Sequence, residues 1–426
     1  MKRVLIITYY WPPSAGSGVQ RWLKFAKYLP EYGWEPVIFT PENPDFELKD
    51  PSLINEIPVG LEVLKFPIWE PYQILRFLKK GKIRDTSVIL EGKNKSMLDR
   101  LAIWLRANFL IPDPRVFWIK PSVKFLTENF NANDFKAVIT TGPPHSMHLI
   151  GRNLKREKNL PWIADFRDPW SAWEFLDTLP LSAKAKAAHK KLERTIFTEA
   201  DELVTISPTF KKEMEILAKR KVNLITNGYD PSDLPEGFKF IPQSSDVFEV
   251  VYSGVIDAIR DPIPFLNALK KAFSKKNHEI RCTFVGKVSH KMKGFVNQDN
   301  WLKAHVHFAG YVSHKEVFEF YEKTHLLLLI LTNTKNAKGN IPGKLFEYMA
   351  TGRPILALGD PDGDSAAIIR EAKAGEVFLH ESVESIQDYL MELYQRRDQV
   401  GQQKNIQQYT RLALTRQLAE ILDKNQ

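Results

Sequence analysis

Apolar and polar positions along this chain fall into repeated short blocks. Runs rich in Val, Ile, Leu and Phe occupy 4–8, 36–40, 61–66, 137–141, 162–166, 203–206 and 223–226. A second set occupies 248–252, 281–285, 306–308, 326–331, 355–358 and 376–379. A strand covered on both faces needs such a run without alternation, and Leu326-Leu327-Leu328-Leu329-Ile330-Leu331 is the purest case. Between the runs, apolar residues recur at helical spacing. Trp22, Phe25, Ala26 and Leu29 share one face of a helix over 20–29, while 264–273 and 314–323 read the same way. Leu412, Leu414, Leu418, Ile421 and Leu422 mark a last helix over roughly 402–424. Strands alternating with helices predict an α/β chain with parallel sheets, here two doubly wound domains.

A chain of 426 residues exceeds one ordinary core, which supports the same division. The stretch 230–246, with Pro231, Pro235, Pro242, Ser244 and Ser245, reads as the linker. The expected domains are 1–235 and 246–404, followed by a C-terminal helix within 405–426. Composition is that of a soluble globular protein, 43% apolar and 26% charged. The single cysteine, Cys282, excludes an intrachain disulfide and fits a reducing compartment. No apolar run approaches the roughly 18 residues that span a bilayer. Lys2 and Arg3 precede Val4-Leu5-Ile6-Ile7, too short an apolar stretch for a secretory leader, so a cytoplasmic location is expected.

The net charge of +9 favours anionic partners. Arg76, Lys79, Lys80, Lys82 and Arg84 form the densest cluster, beside Ile74, Leu75, Phe77 and Leu78. The stretch 98–110 sets Leu98, Leu101, Ile103, Trp104, Leu105, Phe109 and Leu110 beside Arg100 and Arg106. Such segments suit peripheral contact with an anionic membrane, or a helix packed on its own domain with a solvated basic edge. Nucleic acid is not an expected partner, since no zinc-finger, RNP-like or helix-turn-helix signature occurs.

Ligands of open parallel sheets sit at the carboxyl ends of the strands, which is where the chemistry-bearing residues fall. After 326–331 come Gly339 and Gly343, then a helix carrying Lys344 and Glu347. A glycine loop entering a helix binds anions, Lys344 adds a cation, and Glu347 accepts the two hydroxyls of a ribose. Phosphate beside a diol means a nucleotide. After the first strand, Gly16 and Gly18 precede a helix, as in a ligand loop or a plain tight turn. A dinucleotide fingerprint is incomplete, because Arg21 stands where a third small residue belongs. His145 follows Thr141-Gly142-Pro143-Pro144 at a strand end, and Asp165, Arg167 and Asp168 end another. Asp165 and Arg167 suit a structural pair. Arg260 follows Tyr252-Ser253-Gly254-Val255, and its guanidinium suits phosphate oxygens. No His, Cys, Asp and Glu cluster has metal spacing, and Asp360-Pro361-Asp362-Gly363-Asp364 reads as a turn, so neither metal nor cofactor is expected.

The stretch from Pro342 to Pro354 resembles the P-x-K-x-F-E-Y-M-A-x-G-x-P segment of retaining glycosyltransferases of family 4. Thr141 to Ser146 is similar to that family's S/T-x-P-P-H-S segment, and Asp165 to Trp170 to its D-F-R-D-P-W segment. Matching segments run in order along nearly the whole chain, Ile111-Pro112-Asp113-Pro114-Arg115 with Trp118 among them. The resemblance implies the glycosyltransferase B fold, two Rossmann-like domains facing across a cleft, with the C-terminal helix crossing back to the first. It implies a nucleotide-sugar donor held by Arg260, Gly310, Tyr311, Val312, Gly343, Lys344 and Glu347, with Gly16 and Gly18 facing it. It also implies that His145 meets the transferred sugar and Asp168 a glycan or lipid-linked acceptor. Transfer would retain anomeric configuration and serve cell-surface polysaccharide assembly at the inner membrane face. Many members carry Glu eight positions before the residue matching Glu347; here that position is Gly339. That departure leaves room for a non-catalytic nucleotide-sugar-binding scaffold. A nucleotide-sugar 2-epimerase lacks a visible carboxylate set, and Arg21 disfavours a nicotinamide-dependent dehydrogenase.

Overall fold

The computed structural model describes residues 1–46, 48–71, 97–131, 133–238, 247–257, 259–275, 279–397 and 405–425. The basic cluster from Arg76 to Arg84 and the end of the Pro- and Ser-containing stretch, 239–246, lie outside the described residues. The chain divides into two compact units, Met1–Thr226 with Leu414–Gln426, and Asn227–Ala413.

The first unit is built on seven parallel strands: β1 (Lys2–Ile7), β2 (Trp34–Pro41), β3 (Glu62–Phe66), β4 (Ala137–Gly142), β5 (Trp162–Phe166), β6 (Glu202–Thr205) and β7 (Asn223–Leu224). Their order is β3-β2-β1-β4-β5-β6-β7, with Val4 opposite Pro36 on one side and Ala137 on the other. Connections therefore reverse direction between β1 and β4, which opens a crevice at the carboxyl end of the sheet. The helix expected over 20–29 runs Ser17–Tyr28 and buries Trp22, Phe25 and Ala26 against Val4, Ile6 and Ile139.

Two expectations are corrected here. Asp165 pairs with Arg21, not with Arg167: Arg21 Nη2 lies 3.0 Å from Asp165 Oδ1, and both side chains are buried. Trp22 Nε1 (3.2 Å) and Thr141 Oγ1 (2.9 Å) donate to the same carboxylate. Arg21 also donates to the carbonyls of Ile225 and Thr226, at 2.9 and 2.8 Å. Those carbonyls are thereby taken up by a side chain, and β7 stops at Leu224 instead of running to 226. Arg167 is left to donate to the Pro143 carbonyl and to lie over the Tyr10 ring, 5.9 Å from its centroid.

The second correction concerns the C-terminal helix, which begins at Arg411. A 3₁₀ turn over Gln407–Tyr409 precedes it, and Thr410 Oγ1 accepts from Ala413 N (3.2 Å), which caps the start. Leu414, Leu418, Ala419, Ile421 and Leu422 bury into the first unit's core beside Trp22, Trp34 and Ile38. Each large side chain buried this way contributes about 1.5–3 kcal/mol. Asp423 closes the contact by accepting from Lys2 Nζ (3.0 Å) and Trp34 Nε1 (3.2 Å).

The second unit has six parallel strands: β8 (Phe248–Ser253), β9 (Ile280–Val285), β10 (Val306–Gly310), β11 (Leu326–Ile330), β12 (Ile355–Leu358) and β13 (Gly375–Phe378). The order β10-β9-β8-β11-β12-β13 repeats the Rossmann pattern, with its reversal between β8 and β11. Alternation along β11 accounts for its leucine run. Leu326, Leu328 and Ile330 enter one core cluster with Val250 and Phe284; Leu327, Leu329 and Leu331 enter the other with Phe346 and Met349. Among the described residues no helix is long and apolar enough to cross a membrane.

Candidate functional site

In the second unit the expected donor residues collect around the reversal between β8 and β11. Pro342 leads the chain into the Gly343–Ala350 helix in extended conformation, so Lys344 stands in its first turn. The Lys344 ammonium donates to the Ser253 carbonyl at the end of β8 and, at 3.4 Å, to Tyr252 Oη. It sits 4.5 Å from the Tyr252 ring centroid. Gly254 has φ +128°, and a Cβ there would overlap that ammonium. Gly286, also at positive φ, lies against the Gly254 carbonyl, where a Cβ would again overlap. Glycine is thus required at both strand ends by conformation and by space.

Burial lowers the Lys344 pKa to about 7, and the Arg260 cation pushes the same way; Glu347 and Asp257 oppose them. Removing this ammonium from water disfavours its charged form, and an added anion would favour that form. Glu347, one turn further along the helix, meets His314 Nε2 at 3.3 Å. Burial pushes its carboxyl up, but His314, Lys344 and Arg411 together hold it below the usual range, so it is ionised. Arg260 is oriented by Asp257, which takes its guanidinium at 2.8 Å and its backbone N–H at 3.1 Å.

Gly310 (φ +79°) ends β10, and its carbonyl accepts from Gly286 N at 2.6 Å. Tyr311 is exposed, and Val312 packs on the core. Ser313 and Glu316 then form a capping box that starts the His314–Lys323 helix. His314 therefore ties the 310–312 loop to Glu347. Below them, Tyr348 Oη accepts from Ser253 N (3.0 Å), and Ser253 Oγ meets Tyr321 Oη at 2.6 Å. Gly339 ends a short 3₁₀ turn and is buried, and Asn340 next to it donates to Thr332 Oγ1 (2.9 Å).

In the first unit, Gly16 enters the Ser17–Tyr28 helix at φ +114°. A Cβ on Gly18 would overlap the Arg167 guanidinium, so this glycine makes room for that side chain. Asp168 follows Arg167; burial raises its pKa, Arg167 lowers it, and Glu174 and Asp165 raise it further. His145 is buried and stacks on Trp170, with ring centroids 4.5 Å apart and planes 2° off parallel. Neither of its ring nitrogens has a hydrogen-bond partner among the described residues. Burial, then His148, Arg167 and His189, hold its pKa well below the usual histidine value, so the ring is neutral.

The segment from Ile111 to Arg115 acquires a structural role. Asp113 accepts from Ser146 N (2.8 Å) and Ser146 Oγ (2.9 Å), which holds the start of the helix that follows His145. Arg115 Nε lies 2.9 Å from Glu70, a fully buried carboxylate that also accepts from Tyr9 Oη (3.0 Å). Residue spacing brought out Lys344, Glu347, Arg260 and His145. It missed His314, Tyr252, Arg21 and the aromatic surroundings of His145, because each acts through a partner distant in sequence. Among the described residues no group of three or more His, Cys, Asp or Glu side chains is arranged to hold a metal ion.

Residues 248–396, which hold Arg260, Gly310, Tyr311, Val312, Gly343, Lys344 and Glu347, match the family Glycosyl transferases group 1. No curated relative matches the chain by sequence. Among solved structures, the chain is similar to a sucrose-phosphate synthase from Thermosynechococcus elongatus, at 14% identity and TM-score 0.62, over 100% of this chain and 99% of that one. It is similar to Anabaena HepE in complex with UDP and glucose, at 12% identity and TM-score 0.62, over 100% of both chains. It is also similar to WaaG, a glycosyltransferase involved in lipopolysaccharide biosynthesis, at 14% identity and TM-score 0.55, over 99% of this chain and 95% of that one. At these identities the likeness is one of fold: two Rossmann-like parallel-sheet domains, as in glycosyltransferases of the B type.

Proposed function

We propose that the protein is a retaining glycosyltransferase of family-4 type, moving a sugar from a nucleotide-sugar donor to a glycan or lipid-linked acceptor. One observation carries this reading: a cation and a carboxylate one turn apart at a helix start, Lys344 and Glu347, beside Gly254 and Arg260. In the proposal the helix start, Lys344 and Arg260 meet the donor diphosphate, and the ionised Glu347 accepts from the ribose hydroxyls. Charge grows on the leaving diphosphate as the anomeric C–O bond breaks, so groups already aimed at it lower the barrier. Lys344 and Arg260 supply that positive charge, and the transfer is proposed to be metal-independent. The first unit, through Gly16, His145 and Asp168, takes the acceptor. Retention comes from attack by the acceptor hydroxyl on the face the diphosphate leaves. The proposed setting is cell-surface polysaccharide assembly, with the protein peripheral on the inner face of the cytoplasmic membrane.

The test is product analysis with a nucleotide-sugar panel in the presence of EDTA. The expected product keeps the donor's anomeric configuration, and its rate is unchanged by the chelator. An inverted product, or loss of turnover in EDTA, would overturn the retaining or the metal-independent part respectively. Gly339 favours one second reading, a binding protein that holds the donor without transferring it. Donor binding with no transfer to any acceptor would select that reading.

A further inference from the structure

The His314–Lys323 helix meets the Gly343–Ala350 helix through two kinds of contact. The first is buried. Tyr321 and Tyr348 pack edge to face with ring centroids 5.3 Å apart, and both hydroxyls meet Ser253 Oγ, at 2.6 and 3.1 Å. The second is open to water: His314 Nε2 lies 3.3 Å from Glu347 Oε1, with 16% and 18% of the two side chains exposed. A polar pair within reach of solvent adds little to folding. The tyrosines therefore fasten the two helices, and the His314–Glu347 contact is left to be explained by something other than stability.

The geometry around His314 is that of a fixed donor. It is the first residue of its helix, directly after the Ser313–Glu316 capping box. Phe318, one turn on, stands edge-on to the imidazole, with centroids 5.4 Å apart and planes 84° from parallel. A carboxylate offers only lone pairs, so Nε2 carries the proton and donates to Oε1. The terminal torsion of a glutamate is otherwise broad, and this bond narrows it. Glu347 Oε2 takes no hydrogen bond among the described residues, yet it is not one of the sealed, unpartnered polar atoms. One oxygen is held and the other is presented.

Two neighbouring hydroxyls need two acceptors facing one way. A carboxylate free to turn settles for whichever hydroxyl it meets, whereas a held one gains both without losing rotational freedom on binding. A site arranged for a hydroxyl also rejects the analogue that lacks it. We infer that His314 is a positioning residue for the ribose diol: by holding Glu347 Oε1 it sets a preference for ribonucleotides over 2′-deoxyribonucleotides. The inference rests on the nucleotide-binding reading of this site given above.

Calorimetric titration of the full chain with UDP, GDP and ADP, each beside its 2′-deoxy counterpart, tests it. The nucleotide that binds is expected to exceed its deoxy form by about tenfold or more, the range for one hydrogen bond to a charged group. His314→Phe keeps a ring beside Phe318 but deletes the N–H. It is expected to weaken the ribonucleotide until the two forms bind almost alike, with the deoxy form and the urea midpoint little changed. His314→Gln, whose amide N–H replaces the imidazole's, restores most of the preference. A ribo-to-deoxy ratio equal in the unaltered chain and His314→Phe, or a loss shared equally by both forms, overturns the positioning role. His314→Gln behaving as His314→Phe overturns the N–H as its cause. Nucleotide binding with no preference in the unaltered chain overturns this inference alone. No binding of any nucleotide overturns the reading beneath it, and the inference with it.

Discussion

Lys344→Met lowers sugar transfer by about 10²–10³-fold, the usual loss when one group that stabilises a developing anion is removed. The side chain sits in the first turn of the Gly343–Ala350 helix, held by the Ser253 carbonyl and the Tyr252 ring, and Arg260 is near enough to depress its pKa. Met keeps the length and apolar stem while deleting the charge, so Gly254 and the strand ends keep their packing. A pH series gives the same residue an independent signature. In the free protein the ammonium titrates at about 7. A bound diphosphate raises that value, so binding takes up a proton between the free and bound pKa. Affinity is therefore fully present below about pH 7 and falls as pH rises above it, by up to tenfold per unit. Lys344→Met isolates its contribution: the variant's weaker affinity loses the decline that begins near pH 7. A variant that transfers sugar at more than a tenth of the normal rate would contradict the assigned role.

Asp165→Ala destabilises the first unit by about 3–5 kcal/mol, the range for breaking a buried ion pair from one side. Arg21 would keep the carbonyls of Ile225 and Thr226 but lose its counter-charge, while Trp22 Nε1 and Thr141 Oγ1 lose their acceptor. Because these groups come from the first helix, β4 and the chain after β7, the damage spreads along the face of the sheet that the first helix covers. Urea unfolding followed by the first unit's tryptophans measures it, and a loss below 1 kcal/mol would contradict the account. Arg167→Ala, by contrast, opens space beside Gly18 and leaves the Arg21–Asp165 pair in place.

What could be read in advance depended on how far apart in sequence the interacting groups lie. The β11 run was legible because burial on both faces demands Leu at every position, and two core clusters use it alternately. Lys344 and Glu347 were legible because a spacing of three puts them on one helix face. Arg21 looked only like a broken fingerprint, since its partner Asp165 is 144 positions away. His314 carried no signal of its own, as its partner Glu347 is 33 positions on and its spacing obeys no local rule. The helix start at Arg411 depended on Thr410 as a cap, which an amphipathic pattern alone does not locate.

The central claim is that the second unit holds a nucleoside diphosphate through Lys344 and Glu347. Calorimetric titration of UDP, GDP and ADP against the unaltered chain and Glu347→Ala tests it most directly. The account predicts micromolar binding of one of the three, weakened at least tenfold by the substitution, about 1.4 kcal/mol. No binding across the panel, or equal affinity in the two proteins, would contradict it.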